Sequence, residues 1–319
     1  MTTSTAVVAR VDFGACVLLR DDGALIGARA RGALMGRRKA LGNTVVVGDR
    51  VGYAPSGGDA AGFEAVVTEV APRANAFSRR APVKRAEEQV VAANLDQVVL
   101  VASLAEPAFS PGLADRVLCQ AEHAGLAARL VLNKADLAAS RDDDAADPES
   151  ILAAYARAGV AGHVLSAKQV GAALDDLREA CRGRRSLFVG HSGVGKSTLL
   201  NALVPELDLL EGATNARTGK GRHTTSAAVL VRPEPGFELI DTPGVRSFAP
   251  WGIGAQDLDG AYREFHPYLG HCRFGDCRHR NEPGCAVRAA VAAGAIAERR
   301  HASYLRLLGE LQDEEARLH

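Results

Sequence analysis

Short apolar runs separated by turn residues characterise the first 72 residues of the chain. The runs span residues 6–11, 15–19, 45–53 and 64–70. Turn formers such as Asp22-Gly23 separate them, and about five short strands in so few residues predict a small β-barrel. The pattern favours an OB-fold over residues 1–80 and leaves an SH3-like barrel open. The polar, basic residues 73–90 are interpreted as a linker.

Strand-length and helix-length apolar segments alternate after the barrel. Strands are predicted at residues 98–101, 130–132, 164–165, 186–189 and 237–240, and helices at 111–122, 148–158 with Asp147 as its N-cap, 171–181 and 198–203. This alternation predicts βαβ units and a parallel sheet covered on both faces. We assign residues 81–250 to this α/β domain. Residues 251–319 form a third, mainly helical domain, because residues 286–318 are rich in Ala, Leu, Arg and Glu.

A glycine-rich phosphate loop stands between one of these strands and the next helix. Residues 190–197 fit G-x-x-x-x-G-K-[ST], and the flanking strand and helix disfavour a chance glycine-rich turn. Backbone N–H groups and the helix N-terminus would hold the phosphates. We expect Lys196 to reach the terminal phosphates and the Ser197 hydroxyl to coordinate Mg²⁺. The expected nucleotide contacts here are Gly190, His191, Ser192, Gly193, Val194, Gly195, Lys196, Ser197 and Thr198.

Two further loops predict guanine recognition. Asn133-Lys134-Ala135-Asp136 follows a predicted strand and fits N-K-x-D. The Asp136 carboxylate can accept hydrogen bonds from the guanine N1–H and 2-amino group, which adenine does not offer, so this loop selects GTP. Ser166-Ala167-Lys168, also after a strand, resembles the loop whose backbone N–H meets the guanine O6. Each loop is weak evidence alone, and the phosphate loop makes the pair specific.

Asp241-Thr242-Pro243-Gly244 fits the D-x-x-G motif of GTPases and follows an apolar strand. We expect Asp241 to hold Mg²⁺ and the Gly244 N–H to meet the γ-phosphate. The polar segment 219–225 lies between the phosphate loop and this motif, as a switch loop should. Its threonine ligand for Mg²⁺ is predicted to be Thr225 rather than Thr224.

No residue at the usual position can orient the hydrolytic water. Many small GTPases have Gln directly after D-x-x-G, but this chain has Val245 there. Gly193 stands where some GTPases have an Asn that helps to hold a potassium ion. His223 in the switch segment is the candidate catalytic residue, together with the Gly244 N–H. A switch histidine without a chemical role is an equally open interpretation.

The order of these motifs is unusual. Asn133 and Ser166 precede Gly190, whereas most GTPases begin with the phosphate loop and end with the guanine loops. A compact domain tolerates such a move of its termini because chain ends lie at the surface. The sequence therefore predicts a circularly permuted GTPase domain. The chain leaves this domain just after Gly244, so the following segment is attached directly to the predicted γ-phosphate sensor.

A cluster of cysteine and histidine residues predicts a structural zinc site in the third domain. Cys272, Cys277, His279 and Cys285 supply three thiolates and one imidazole, the ligand set of a closed Zn²⁺ site. Unligated side chains are the alternative, disfavoured because this segment is poor in core residues. The scattered Cys16, Cys119 and Cys181 are predicted to be buried thiols.

Charge is uneven along a chain whose net charge is zero. Residues 1–85 carry 13 Lys/Arg and seven Asp/Glu, including the run Arg37-Arg38-Lys39. This favours a polyanionic partner for the N-terminal domain, and a solvated basic surface is the alternative. The low aromatic content of 5 % argues against base stacking as the dominant mode of nucleic-acid binding.

Four segments together resemble one known family, the circularly permuted ribosome small-subunit-dependent GTPase A of bacteria. They are residues 190–198, 221–225, Asp241 to Val245 and Tyr268-Leu269-Gly270-His271-Cys272, and the resemblance covers nearly the whole chain. It implies an OB-fold that docks on rRNA of the small ribosomal subunit, GTP hydrolysis stimulated by that subunit, and a role in its late maturation. GTP or GDP, Mg²⁺ and one Zn²⁺ are the implied cofactors.

The first 13 residues lack the apolar core of a signal peptide, and no apolar run approaches the ~18 residues of a membrane span. We therefore expect a cytoplasmic protein, without a membrane partner and monomeric. Two rival functions remain. One is a GTP-gated binding module in which hydrolysis is only a timer, and the other is a P-loop kinase, which would not need the guanine-selective Asn133 and Asp136.

Overall fold

The computed structural model describes residues 4–12, 15–31, 34, 43–56, 63–81, 87–138, 147–169, 171–205, 207, 227–245 and 247–318. Among these residues, no helix combines the length and apolar character needed to cross a lipid bilayer.

The N-terminal strands close into a barrel. They are β1 (Ser4–Asp12), β2 (Ala15–Leu19), β3 (Leu25–Ala30), β4 (Arg50–Pro55) and β5 (Ala65–Val70). Their order is β1-β2-β3-β5-β4, and β4 pairs back with β1. Only β3 and β5 run parallel, which is the arrangement of an OB-fold. Alternate residues such as Val8, Leu18 and Val67 fill the interior and are fully buried. The predicted barrel is confirmed, and the SH3-like alternative is not supported by this order.

The strand expected from residue 45 begins only at Arg50. The reason is a turn built around Asp49, whose carboxylate accepts a hydrogen bond from the Val46 N–H (2.8 Å). Arg73 pairs with the same carboxylate (2.7 Å). Val45 to Val47 are therefore buried in a turn, although their apolar run is typical of a strand.

The interpretation of residues 73–90 as a linker is wrong for the described residues. They contain β6 (Ala76–Arg80), which pairs with β7 (Glu88–Ala93) in an antiparallel hairpin. Phe77 and Ala92 are fully buried in the largest hydrophobic core that the described residues form. Polar and charged residues interrupt the apolar side chains of this hairpin in the sequence. The buried Phe77 packs against the distant Phe248, and the two ring centroids are 5.5 Å apart.

The central domain is a sheet covered by helices, as predicted. Its strands are β8 (Gln97–Ser103), β9 (Ala127–Asn133), β10 (Ala161–Val164), β11 (Arg184–Gly190), β12 (Val229–Glu234) and β13 (Phe237–Asp241), and its helices are α1 (Pro111–His123), α2 (Ala135–Ala138), α3 (Pro148–Ala156), α4 (Ala172–Cys181) and α5 (Lys196–Leu203). The order is β10-β9-β8-β11-β13-β12, with only β12 antiparallel to its neighbour. Asp147 caps α3 through its side chain. Along β8, Val98 faces one core and Val99 the other, so both faces are buried.

The barrel and the central domain are joined by backbone pairing. Strand β1 pairs with β12 at Arg10 and Val229, so one sheet of eleven strands runs through both parts. Arg185 of β11 donates to the Gly48 carbonyl (2.8 Å) and pairs with Glu238 of β13 (2.6 Å). These contacts fix the barrel beside β11 and β13, the strands that lead into the phosphate loop and the D-x-x-G motif.

The C-terminal part is mainly helical. After short 3₁₀ turns at Leu258–Ala261 and Arg263–Tyr268 come α6 (Ala286–Ala292) and α7 (Glu298–Leu318), with Gly294 at a positive φ of 73° between them. This domain packs on α1 through a core that includes Cys119.

Burial raises the pKa of Cys16 and Cys119 to about 12, as expected for inert thiols.

Candidate nucleotide site and metal centre

Four of the predicted nucleotide motifs lie at the carboxyl ends of parallel strands. The N-K-x-D loop follows β9, the Ser166 loop follows β10, the phosphate loop follows β11 and Asp241 ends β13. Because carboxyl ends of parallel strands meet at one edge of the sheet, four loops from distant parts of the chain face one site.

The phosphate loop requires glycine at particular positions. Gly193 and Gly195 have positive φ angles of 88° and 86°, a conformation that only glycine adopts readily. A Cβ at Gly190 would lie 2.5 Å from the Val101 carbonyl oxygen, and one at Gly195 would lie 2.5 Å from Asn133 Nδ2. The loop is therefore wrapped tightly on neighbouring strands. Of its residues, Ser192, Gly193, Ser197 and Thr198 are exposed, His191 and Gly195 are half-buried, and Val194 and Lys196 are buried.

Asn133 joins the three loops that come from β9, β10 and β11. Its side-chain amide donates to the Val194 carbonyl (2.9 Å), and its Oδ1 accepts from the Ala167 N–H (2.9 Å). Asn133 itself is 1 % exposed, so these bonds are shielded from water. This side chain therefore holds the phosphate loop and both predicted guanine loops in register, a role that the motif spacing alone did not assign.

The remaining guanine-loop residues leave a polar surface for a base. Asp136 lies exposed in the first turn of α2, and Lys168 is also exposed. Lys134, at a φ of 62°, donates from Nζ to the Glu106 carbonyl (2.5 Å). The Ser166 hydroxyl is buried and finds no hydrogen-bond partner within the described part of the chain. Asp136 thus remains available to accept hydrogen bonds, as the prediction requires.

Lys196 and Asp241 form a direct ion pair at the centre of the site. Both side chains are less than a tenth exposed. Burial raises the pKa of the Asp241 carboxyl, against the opposing charge of Lys196. Asp241 and the exposed Ser197 hydroxyl are hard oxygen donors, which Mg²⁺ prefers. The donor set therefore fits Mg²⁺. With a nucleotide bound, the ion pair would be replaced by a contact of Lys196 with the phosphates and of Asp241 with Mg²⁺.

The D-x-x-G loop lies against the phosphate loop. A Cβ at Gly244 would be 2.9 Å from Ser192 Cα, so only glycine allows this approach. Val245 continues the contact, since its N–H donates to the Gly190 carbonyl (3.0 Å). The chain then passes to hairpin β6–β7, where Ala249 accepts from the Arg80 N–H (2.9 Å).

Two predicted residues cannot be placed. His223 and Thr225 lie outside the described residues, so their roles in water activation and Mg²⁺ binding stay predictions. The basic run Arg37-Arg38-Lys39 also lies outside them.

The four predicted zinc ligands converge. Their donor atoms all lie within 4.8 Å of one another. His279 Nδ1 is 3.6, 3.5 and 3.3 Å from the sulfurs of Cys272, Cys277 and Cys285. A tetrahedral Zn²⁺ with its usual bond lengths requires edges of roughly 3.4–3.8 Å between such donors. The site therefore fits Zn²⁺. The nearby His266 lies outside this ligand set, and its Nε2 contacts the Gly260 carbonyl (2.8 Å).

Sequence reasoning missed the residues that support these ligands. His279 Nε2 lies 3.3 Å from the Asp259 carboxylate, an arrangement that orients a metal-bound imidazole. The Ala286 and Arg288 N–H groups donate to the sulfurs of Cys272 and Cys285 (both 3.4 Å). Asp259 stands twenty residues before His279, and no local spacing rule identifies it.

The fold and site together define a circularly permuted P-loop GTPase with an N-terminal OB-type barrel and a C-terminal Cys₃His cluster. A family model described as RsgA GTPase matches residues 70–251. The chain is 39 % identical over 315 residues to the small ribosomal subunit biogenesis GTPase RsgA of Chlorobaculum tepidum, covering 98 % of this chain and 99 % of the relative. It is 42 % identical over 316 residues to the protein of the same name from Gemmatimonas aurantiaca, with the same coverage.

Solved structures agree with this class. YjeQ from Thermotoga maritima matches with a TM-score of 0.74 and 29 % identity over 98 % of this chain and 99 % of that one. YloQ, described as a circularly permuted GTPase, matches with a TM-score of 0.71 and 25 % identity over 98 % of this chain and 96 % of that one. The chain belongs to the RsgA GTPase family and is a GTPase, a hydrolase.

Proposed function

We propose that this GTPase acts on the small ribosomal subunit in its late maturation, binds its rRNA and is stimulated by it. The supporting observation is that relatives named for small-subunit biogenesis match 98 % of this chain. The nucleotide site supports the GTPase part of the proposal, because Asn133 joins the phosphate and guanine loops. A cytoplasmic monomer fits this role.

In the proposed reaction GTP and water give GDP and phosphate. Asp136 and the Ser166–Lys168 loop read the guanine, and the phosphate-loop N–H groups and Lys196 hold the phosphates. Ser197, Asp241 and Thr225 would hold Mg²⁺, which would neutralise negative charge on the nucleotide phosphates. His223 orients the attacking water, and the Gly244 N–H meets the γ-phosphate. Zn²⁺ held by the Cys₃His cluster would be structural, because four protein ligands leave no open coordination position for a reactant.

The nucleotide state is proposed to control docking on the subunit. The segment after Gly244 contacts the phosphate loop through Val245 and the hairpin through Phe248 and Ala249. A ligand shifts a conformational equilibrium only by its differential affinity for the two states. A GTP analogue should therefore tighten subunit binding relative to GDP, by about 1–3 kcal/mol of coupling. The basic barrel contributes the salt-dependent part of the affinity in both states.

Co-sedimentation with purified small subunits tests this proposal. Subunit affinity is measured with GDP and with a non-hydrolysable GTP analogue, and nucleotide affinity is measured with and without subunits. Reciprocity demands the same factor in both directions. Replacing Arg37, Arg38 and Lys39 with alanine should weaken subunit binding and spare nucleotide binding. Equal subunit affinity for both nucleotide forms would show that the switch does not gate docking.

Product analysis separates the rival functions. A kinase would yield a phosphorylated acceptor, and a GTPase yields free phosphate. A GTP-gated module with hydrolysis as a timer would show nucleotide-dependent subunit binding without stimulated turnover. The guanine-reading loop favours the GTPase, because a small-molecule kinase has no need to discriminate guanine from adenine.

A further inference from the structure

A cavity of about 250 Å³ lies where the barrel, hairpin β6–β7 and the D-x-x-G loop meet. Its apolar lining includes Val47 and the rings of Phe77 and Phe248, and one wall is the segment Thr242–Val245. The hairpin contributes the side chains of Arg79 and Gln89 to the same cavity. Gly244, the predicted γ-phosphate sensor, and the cationic side chain of Arg79 therefore line the same cavity.

Arg79 is a cation without a described counter-charge. Its Nε donates to Gln89 Oε1 (3.0 Å), and among the residues that the structure describes no carboxylate pairs with it. Burial lowers the pKa of its guanidinium, but arginine stays protonated at neutral pH. The neighbouring Arg80 and Arg73 differ, because they pair with Glu314 and Asp49. A partly desolvated cation of this kind is stabilised when an anion reaches it.

The strand that carries Arg79 is attached to the chain directly beyond the sensor. The Arg80 N–H donates to the Ala249 carbonyl, and Phe77 packs on Phe248. On the other side, Gly244 lies against Ser192 of the phosphate loop. Five residues therefore separate Gly244 from the backbone contact at Ala249 that holds the strand of Arg79.

We propose that Arg79 is a further catalytic residue supplied in cis, whose guanidinium contacts the γ-phosphoryl group when the D-x-x-G loop closes on GTP. The assignment rests on the proposed contact of Gly244 with the γ-phosphate. It fits a chain in which Val245 replaces the glutamine common in small GTPases. The water oxygen bonds to the γ-phosphorus, the bond from phosphorus to the GDP oxygen breaks with its electron pair left on GDP, and the water protons are lost to solvent and phosphate. Arg79 keeps its protons and stabilises the charge on the transferring group.

The experiment compares Arg79→Ala, Arg79→Lys and Arg80→Ala in the full-length protein without ribosomal subunits. Arg80→Ala removes the same charge from the next residue and leaves its backbone hydrogen bond to Ala249 intact. Single-turnover GTP hydrolysis, GDP affinity, and binding of aluminium fluoride to the GDP complex are measured. Aluminium fluoride with GDP imitates the transferring phosphoryl group, so it reports a contact that GDP alone does not make.

Arg79→Ala is expected to slow hydrolysis by at least ~10-fold, to change GDP affinity less than about twofold, and to lose aluminium fluoride binding. Arg79→Lys should retain part of the hydrolysis rate and part of the aluminium fluoride binding, because lysine keeps the positive charge but lacks the planar guanidinium group. Arg80→Ala should behave as the unmodified protein. Equal hydrolysis in Arg79→Ala and Arg80→Ala would overturn the assignment, and so would a parallel loss of GDP affinity and rate. Either result would leave GTP hydrolysis by the unmodified protein intact.

Discussion

Replacing Arg300 with methionine should loosen the C-terminal domain from α1. The Arg300 guanidinium contacts Asp115 of α1 and donates to Glu264 of the 3₁₀ turn (2.6 Å). All three side chains are 2 % exposed. The same guanidinium lies over the rings of Tyr155 and Tyr262, at 5.2 and 4.6 Å from the centroids. One cation thus ties elements from both domains together.

The expected cost follows from the charges left behind. Without Arg300, two buried carboxylates are left without a cation, and breaking a buried pair in this way costs about 3–5 kcal/mol. Arg116→Met is the matched control, because Arg116 also links α1 to α7 but pairs with Glu310, which is 55 % exposed. A pair of that kind contributes less than about 1 kcal/mol.

Urea unfolding followed by tryptophan fluorescence provides the assay. Trp251 is the only tryptophan in the chain, and its backbone N–H donates to Gln120 Oε1 of α1 (2.7 Å), so its fluorescence reports on this junction. Adding Asp115→Asn and Glu264→Gln to Arg300→Met should recover part of the loss, since the unpaired charges are then removed. Equal destabilisation by Arg300→Met and Arg116→Met would refute the reasoning.

Three further predictions concern the site. Asp136→Asn should weaken GTP binding by about 10-fold or more and admit xanthosine triphosphate, because a charged hydrogen bond contributes about 1.5–3 kcal/mol; unchanged GTP affinity would remove the guanine-reading role. Zn²⁺ should copurify at about one per chain. Cys277→Ser should lose the metal and unfold the C-terminal domain locally while GTP binding persists, and the control His271→Ala should keep the metal. Elemental analysis that finds no zinc in the unmodified protein would contradict this prediction. Gly244→Ala should retain GDP binding and lose hydrolysis, since its Cβ would press on Ser192; normal turnover of this variant would count against the sensor role.

Periodicity was sufficient for most of the fold because strands such as β8 and β11 are buried on both faces and carry continuous apolar runs. Hairpin β6–β7 was missed for the opposite reason. Five of the eleven residues in its two strands are polar, and its Phe77 is buried against Phe248, far along the chain. The turn at Asp49 was missed because its side-chain hydrogen bond overrides the strand propensity of three valines.

The site shows the same division. Residues fixed by local chemistry, such as the phosphate-loop glycines and the Cys₃His ligands, follow from spacing. Contacts between distant residues do not. Asn133 contacts Val194 across 61 positions, and Arg300 contacts Asp115 across 185. Such pairs are set by the sheet order and the docking of the third domain, which no short motif encodes.

Phosphate release from GTP, measured with and without purified small ribosomal subunits, tests the central claim most directly. Large subunits at the same concentration serve as the control, and Lys196→Ala controls for contaminating GTPases because it removes the phosphate-binding lysine. We expect turnover to rise when small subunits are added, and to stay unchanged with large subunits or in the variant. The same rate with and without small subunits would contradict the proposed function.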